Sequence, residues 1–345
     1  MTVFPDNAAP RRRLLVTGVG GAPGLDLAAC LASAGHTVLG TDSNPLAPGL
    51  IIPGISSRIA ARADSPQYKS DLRTLLAGFR PEAIISGVER ELPLLIEMQD
   101  ELDAAGIRTW LPSARTAAIT LDKALFHEAV TAEGIPTPLT ARPEDIHLLP
   151  ETGGLVVKPR RGQGSKDVHY CATRRQAAVL CELVADPIVQ QRIAGQEFSA
   201  DCLVDRDGRT SVVLRRRLLV HGGMSMVAST FHHEKATQLV KTTLTAIGSV
   251  GPCDVQGFIT DDHPVPVVIT EVNHRLAAGF RLSEAAGADL VGQTLNGLFN
   301  IPVDHQRLAY RSDVHLTKYV TELSTQPRPQ QPPRSHPCPT NCPSA

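Results

Sequence analysis

Residues 1–112 alternate short apolar β runs with stretches of helical spacing, and beyond about residue 137 that alternation gives way to paired strands. A strand–helix–strand order implies parallel pairing, because the helix carries the chain back across the sheet. Residues 14–17, 37–41 and 83–86 read as buried parallel strands, and 25–34, 69–78 and 92–105 as helices. The expectation is an N-terminal doubly wound α/β sheet. Ser113 is placed to cap a short helix. A helix over 121–133 then ends at Gly134, and Ile135-Pro136-Thr137-Pro138 makes an extended exit.

The second half reads differently. Residues 155–158 form a strand entering a Gly-rich loop, and 174–185 a helix. Residues 197–204 alternate Phe198, Ala200, Cys202 and Val204 on one face, turn at Asp205-Arg206-Asp207-Gly208, and return over 210–220 as a hairpin. A second hairpin joins 253–260 to 265–273 through Asp261-Asp262. A helix over 283–298 and a strand around 312–320 follow. The last 21 residues hold seven prolines and little apolar content, so that tail is expected to be disordered, with Cys338 and Cys342 an untethered thiol pair.

At 345 residues there is room for two or three domains, and 42% apolar with 20% charged residues describes an ordinary soluble globular protein. A net charge of −1 supplies no basic field for nucleic acid. No apolar run approaches the roughly 20 residues of a membrane span. Arg11–Arg13 precede a buried strand and a glycine loop rather than a signal-peptide core. Seven scattered cysteines, an odd number, read as reduced thiols of a cytoplasmic protein.

The chemistry concentrates in Val267-Val268-Ile269-Thr270-Glu271-Val272-Asn273-His274-Arg275. Alternate side chains on a strand share a face, so Glu271, Asn273 and Arg275 are expected to project together, with His274 packed on the other side. A carboxylate and an amide oxygen suit Mg²⁺, and an arginine beside them can hold a phosphate oxygen. A second cluster is Val156-Val157-Lys158-Pro159 leading into Arg160-Arg161-Gly162-Gln163-Gly164-Ser165-Lys166. A lysine at a strand end beside exposed loop amides has the ingredients of a phosphate cradle, though the Walker A spacing is absent. Residues 187–193, with Gln190, Gln191 and Ile193, run into Glu197; an adenine can lie against such a segment while Glu197 accepts from ribose hydroxyls. Arg215 and Arg217 share one face of the return strand, which reads equally well as an edge strand with solvated charges. The earlier loop, Gly18-Val19-Gly20-Gly21-Ala22-Pro23-Gly24, has proline where the third glycine of G-x-G-x-x-G belongs. It reads as a tight strand-to-helix turn rather than a dinucleotide site.

Taken in order, these segments resemble the ATP-grasp superfamily, in its branch similar to carbamoyl-phosphate synthetase and biotin carboxylase. The markers are the 18–24 loop, Ser86-Gly87-Val88-Glu89-Arg90-Glu91-Leu92, Leu121-Asp122-Lys123 with Gly134–Pro138 downstream, and Val157-Lys158-Pro159 with its Gly loop. They continue with Gln190–Ile193 and Gly195-Gln196-Glu197-Phe198-Ser199, Asp254-Val255-Gln256, and Glu271–Arg275, so the match spans about 14–310. The resemblance implies a pre-ATP-grasp, Rossmann-like domain over 1–112 and a helical linker plus lid subdomain over 113–192. A catalytic subdomain over 193–324 and the tail over 325–345 follow, the two ATP-grasp subdomains being antiparallel sheets that clasp ATP. It implies that Lys123, Lys158, Gly162, Gly164, Ser165, Gln190, Gln191, Ile193 and Glu197 bind ATP. Glu271, Asn273 and Gln256 would hold Mg²⁺ or Mn²⁺; of the catalytic candidates, Arg275 would meet the transferred phosphoryl group, Lys158 would contact the ATP phosphates, and Arg217 is a candidate contact to the acceptor's carboxylate. His221, Gly222, Arg281 and Glu89 are candidate contacts to the acceptor substrate. The family usually has proline where His274 stands, and a second acidic metal ligand where Gln256 stands, with Asp254 read as one face away. These departures bear on the number of metal ions.

The implied reaction is carboxylate–amine ligation through an acyl phosphate, acting on small molecules such as amino acids and releasing ADP and phosphate. A mobile lid over about 137–190 would exclude water. A kinase-like phosphotransferase, a non-catalytic ATP-binding protein and an NAD-dependent oxidoreductase are the alternatives. Related enzymes often pair through the N-terminal domain, so a homodimer is a further expectation of the resemblance.

Overall fold

The computed structural model describes residues 10–162, 164–260 and 265–324. The Pro-rich tail, Cys338, Cys342, Gln163 and the Asp261-Asp262 turn lie outside the described residues.

The N-terminal alternation produces the parallel sheet it implies. Strands β1 (Arg13–Thr17), β2 (Thr37–Asp42), β3 (Ser56–Ile59) and β4 (Ala83–Ser86) lie in the order β3-β2-β1-β4, all parallel. Helices Ala22–Ser33 and Tyr68–Phe79 cross between them. Strand β3, reading Ser-Ser-Arg-Ile, is polar and largely exposed, so no apolar run announces it. The helix expected over 92–105 is broken at Met98 (φ −94°, ψ 3°) into Leu92–Glu97 and Gln99–Ala104. Ser113 does cap, its hydroxyl accepting from the amide of Thr116 at the start of helix Ala114–Leu121.

A small antiparallel sheet follows, in the order β5-β8-β6-β7, from β5 (Thr140–Ala141), β6 (Leu155–Pro159), β7 (His169–Cys171) and β8 (Pro187–Gln191). With helix Arg174–Cys181 it encloses its own core of Leu149, Leu155, Val157, Ala177, Val184 and Val189.

The large antiparallel sheet has the order β13-β12-β9-β10-β11-β14, from β9 (Gln196–Val204), β10 (Thr210–His221), β11 (Met224–Thr230), β12 (Gly251–Ile259), β13 (Val267–Asn273) and β14 (His315–Thr317). Strand β10 lies between β9 and β11, so it is not the edge strand its charges suggested. Its cations are instead absorbed by neighbours: Arg215 pairs with Asp201, Arg216 lies over the Phe231 ring at 4.3 Å, and Arg217 turns into a cavity. Strand β11 was not foreseen, because Met-Ser-Met-Val-Ala-Ser-Thr has no clean alternation and only its pairing to β10 makes it a strand. Helix Glu234–Ala246 was also missed, although Ala236, Val240, Thr243 and Leu244 fall at helical spacing and are buried. The helix expected over 283–298 is two, Phe280–Ala285 and Leu290–Leu298; Gly287 at φ +110° ends the first.

The N-terminal and large sheets share a core. Leu14, Val16, Leu27 and Trp110 pack in one cluster with Leu203, Leu276, Phe280 and Leu298. Gly297 presents bare backbone to Trp110: a Cβ there would sit 2.1 Å from the indole ring.

Candidate active site

A cavity of about 1040 Å³ opens where the three sheets meet. From the small sheet it receives Lys158, Gly162, Gly164, Ser165, Gln190 and Gln191; from the segment between the sheets, Ile193; and from the large sheet Glu197, Arg217, Gly222, Gln256, Glu271, Asn273 and Arg275. Lys123 enters from the start of helix Lys123–Ala132.

Strand β13 delivers Glu271 and Asn273 to the same face, as period two requires, and the Asn273 amide nitrogen donates to Glu271 Oε1 at 3.4 Å. The strand stops at Asn273. Arg275 reaches the cavity from the following turn, where its amide donates to the Asn273 carbonyl. Burial opposes the charge on Glu271, but the ammonium groups of Lys123 and Lys158 outweigh it and hold the carboxyl below its ordinary range. Lys158 is half-buried among the residues that line the cavity. That desolvation, with the like charge of Lys123, pulls it down to about 8 against the pull of Glu271. Its ammonium donates to Gln190 Oε1 at 2.8 Å, and the Gln190 amide donates in turn to Thr140. The Gln190 side chain is thus spent on orienting Lys158.

The Leu121-Asp122-Lys123 segment fastens the Gly-rich loop. Asp122 caps its helix by accepting from Ala124 and Leu125, and binds Arg160 Nε at 2.6 Å and Arg161 Nε at 3.1 Å. The Lys123 ammonium donates to the Gly162 carbonyl at 2.8 Å. Asp122 and Arg160 were not among the expected site residues. A carboxylate one residue before a lysine at a helix start was the available signal. On the far side Gly223 (φ +75°) touches the same loop, since a Cβ there would meet Ser165 Oγ at 2.6 Å.

Arg217 donates to Gln256 Oε1 at 2.9 Å and to the Gly223 carbonyl at 2.8 Å, and stands 3.4 Å from Glu197. Burial raises the pKa of Glu197, with Arg217 opposing. Gln256 Nε2 donates to Asp254 Oδ2 at 3.0 Å. Asp254 therefore shares the face of Gln256, correcting the expectation that it lay one face away; residues two apart on a strand point the same way.

The expected acceptor contacts divide. Gly222 lines the cavity, whereas His221 is exposed at the hairpin tip outside its lining. Arg281 is also outside, about half exposed and 3.6 Å from Asp26. Glu89 is buried behind the wall, accepting the His274 amide at 3.0 Å and standing 4.0 Å from Arg275. Burial raises its carboxyl to about 7, against the pull of Arg275. His274 packs as expected on the face away from Glu271, between Thr120 and Ser249, and burial lowers it to about 4, leaving a neutral ring. The glycine loop contributes more than a turn: Gly18, Gly20 and Gly21 line the cavity beside Asp42, Arg90 and Glu91. Gly24 is needed for the turn itself, because a Cβ there would meet the Gly18 carbonyl at 2.4 Å.

Comparison with known proteins bears on the fold. Residues 120–279 match the family model of the ATP-grasp domain. Over 216 residues the chain is 32% identical to phosphoribosylamine–glycine ligase of Corynebacterium ammoniagenes, covering 59% of this chain and 48% of that protein. The chain thus spans about half the length of that relative. Among solved structures, biotin carboxylase from Campylobacter jejuni superposes with a TM-score of 0.70 at 15% identity, covering 90% of this chain and 75% of that one. L-amino acid ligase from Bacillus licheniformis gives 0.68 at 17% identity, covering 88% and 78%. At such identities these likenesses concern the fold: a parallel sheet followed by two antiparallel sheets around a cleft.

Proposed function

We propose, because the chain belongs to the ATP-grasp superfamily, that it is an ATP-dependent, ADP-forming ligase joining a small-molecule carboxylate to an amine. The observation that carries this reading is the convergence on one cavity of Lys123, Lys158, Arg217 and Arg275 with the oxygen pair Glu271 and Asn273. Phosphoryl transfer asks a protein chiefly for positioning and charge neutralisation, which such a set supplies. Ile193, four residues before Glu197, and Phe258, paired with Glu197 across the sheet, line the cavity together with Val156, suiting a base and its ribose. Glu271 and Asn273 fit Mg²⁺ or Mn²⁺, since a charged carboxylate beside an amide oxygen is a hard donor pair. When bound, the ion would neutralise phosphate charge and orient the γ-phosphate.

In this reading the substrate carboxylate oxygen attacks the γ-phosphorus and the bond to the β-phosphate oxygen breaks, leaving an acyl phosphate and ADP. The amine nitrogen then attacks the acyl carbon, phosphate departs and the nitrogen loses its proton. Arg275 and the two lysines hold the charged oxygens. The small sheet and its Gly-rich loop would keep water from the acyl phosphate. In this reading the acceptor would sit beside the glycine loop, Asp42, Arg90 and Glu91, which line the same cavity. The phosphoribosylamine, amino-acid and carboxylase chemistry named for the relatives suggests small amines and acids as the first compounds to try.

The test is ADP release from the purified chain across a panel of carboxylic acids, each with and without amines. Release requiring both partners, with a new amide or peptide bond in the products, is the expected result. Release that needs only the acid and yields a stable phosphorylated product would establish the kinase alternative instead.

A further inference from the structure

We infer that this site works with a single divalent cation, and that the guanidinium of Arg217, fixed by Gln256, stands where a second cation would otherwise be needed. The inference rests on the ATP reading above and deepens it. A nucleoside triphosphate carries close to four negative charges at neutral pH, so one divalent ion leaves about two for the protein to balance.

The oxygen donors are few. Strands β12 and β13 set Gln256 directly opposite Glu271, so both side chains share one face. The carboxylate of Glu271 is one donor. Asn273 spends its nitrogen on Glu271 Oε1 and Asp254 Oδ2, at 3.4 and 3.5 Å, and so keeps its oxygen for a cation. Gln256 is the third candidate, and both its ends are already used. Its oxygen accepts from Arg217 Nη1 at 2.9 Å and its nitrogen donates to Asp254 Oδ2 at 3.0 Å. A carboxamide with its oxygen on a guanidinium is not a vacant metal ligand, and turning it over would set its N–H₂ against that guanidinium.

Arg217 is held as a fixed charge should be. It is 9% exposed, its second terminal nitrogen donates to the Gly223 carbonyl at 2.8 Å, and Glu197 stands 3.4 Å away. Its Nε has no partner among the described residues, and the side chain lines the cavity. Asp254 does not line the cavity: its Oδ2 accepts from Gln256 and Asn273, and its Oδ1, without a hydrogen-bond partner among the described residues, lies 3.9 Å from Arg215, whose guanidinium is held in two bonds by Asp201. The order Asp254–Gln256–Arg217 thus places a cation, not a carboxylate, on the side-chain oxygen of the residue paired with Glu271.

The experiment counts metal. The full chain is saturated with a non-hydrolysable ATP analogue and titrated with Mn²⁺, with bound manganese read by electron paramagnetic resonance and bound nucleotide by equilibrium dialysis. One manganese per bound nucleotide is expected. Two would overturn the inference while leaving the ATP reading intact, whereas no bound nucleotide would overturn both. The double variant Arg217→Gln with Gln256→Glu removes the guanidinium and supplies a carboxylate, and should bind two. A count of one in a double variant that melts like the parent would overturn the role given to Arg217. Arg217→Gln alone should weaken analogue binding roughly tenfold at one equivalent of Mn²⁺; unchanged binding would count against a cationic role.

Discussion

At the scale of single residues, the site is a set of charges whose burial is offset by one another. Lys158 illustrates the consequence for pH. Its ordinary value of 10.5 falls to about 8 in the folded chain, chiefly through burial. Nucleotide affinity should therefore weaken as pH rises above 8 and the ammonium is lost. Folding stability should respond in the opposite sense. Between about 8 and 10.5 the unfolded chain binds the extra proton, so this lysine's contribution grows as pH rises through that window and is lost as pH falls through 8. Binding titrations and denaturant melts of the parent and Lys158→Met, compared at pH 7 and 9.5, check both signs; parallel profiles would refute them. Glu89 makes a second case. Glu89→Ala would orphan the buried His274 amide and release Arg275, costing about 1–3 kcal/mol of stability. Under the proposed function the kinetic loss should fall mainly on kcat, since Arg275 is disturbed and the segment proposed to bind nucleotide is not. A proline at 274 could not make this hydrogen bond, so the histidine's amide is a reason for its presence that no side-chain pattern reveals.

At the scale of elements, the ties between the small sheet and the rest among the described residues gather at its Gly-rich loop: Asp122 to Arg160 and Arg161, Lys123 to Gly162, and Gly223 against Ser165. A nucleotide spanning Lys158 and Glu271 would bridge the two antiparallel sheets. Amide hydrogen exchange over 155–171 should slow when an ATP analogue with Mg²⁺ is added, while the N-terminal strands β1 and β2 change little. Equal slowing everywhere would argue against a separately moving element. Strand pairing also explains what the sequence concealed at this scale. Strand β3 is too polar and β11 too irregular to be seen as strands alone; each is extended because a neighbour offers it a ladder. The breaks at Met98 and around Gly287 were hidden because helical spacing continued across them.

At the scale of the whole molecule, the first sheet and the large sheet are welded by a shared apolar cluster in which Trp110 is central. Gly297→Ala would drive a methyl into that ring and should cost about 1–3 kcal/mol, seen as a lower midpoint in chemical denaturation. Tryptophan fluorescence reports the shared core around Trp110, and far-UV circular dichroism the secondary structure of the chain as a whole. The two probes should give coincident transitions; separated ones would mean that the shared core does not couple them.

Local sequence determined a good deal. Alternation of apolar runs specified the parallel sheet, period two put Glu271 and Asn273 on one face, and a lysine at a strand end led into the glycine loop that lines the cavity. Those features are set by covalent spacing and backbone geometry, which a single chain displays. Tertiary structure decided which distant groups meet. It placed β10 inside the sheet so that Arg215 and Arg217 became internal counter-charges. It moved His221 and Arg281 out of the cavity and brought in the first glycine loop. It also committed the Gln256 amide to Arg217. Such outcomes depend on strand order and on competition for hydrogen-bond partners between residues tens of positions apart, and neither is encoded in any one segment.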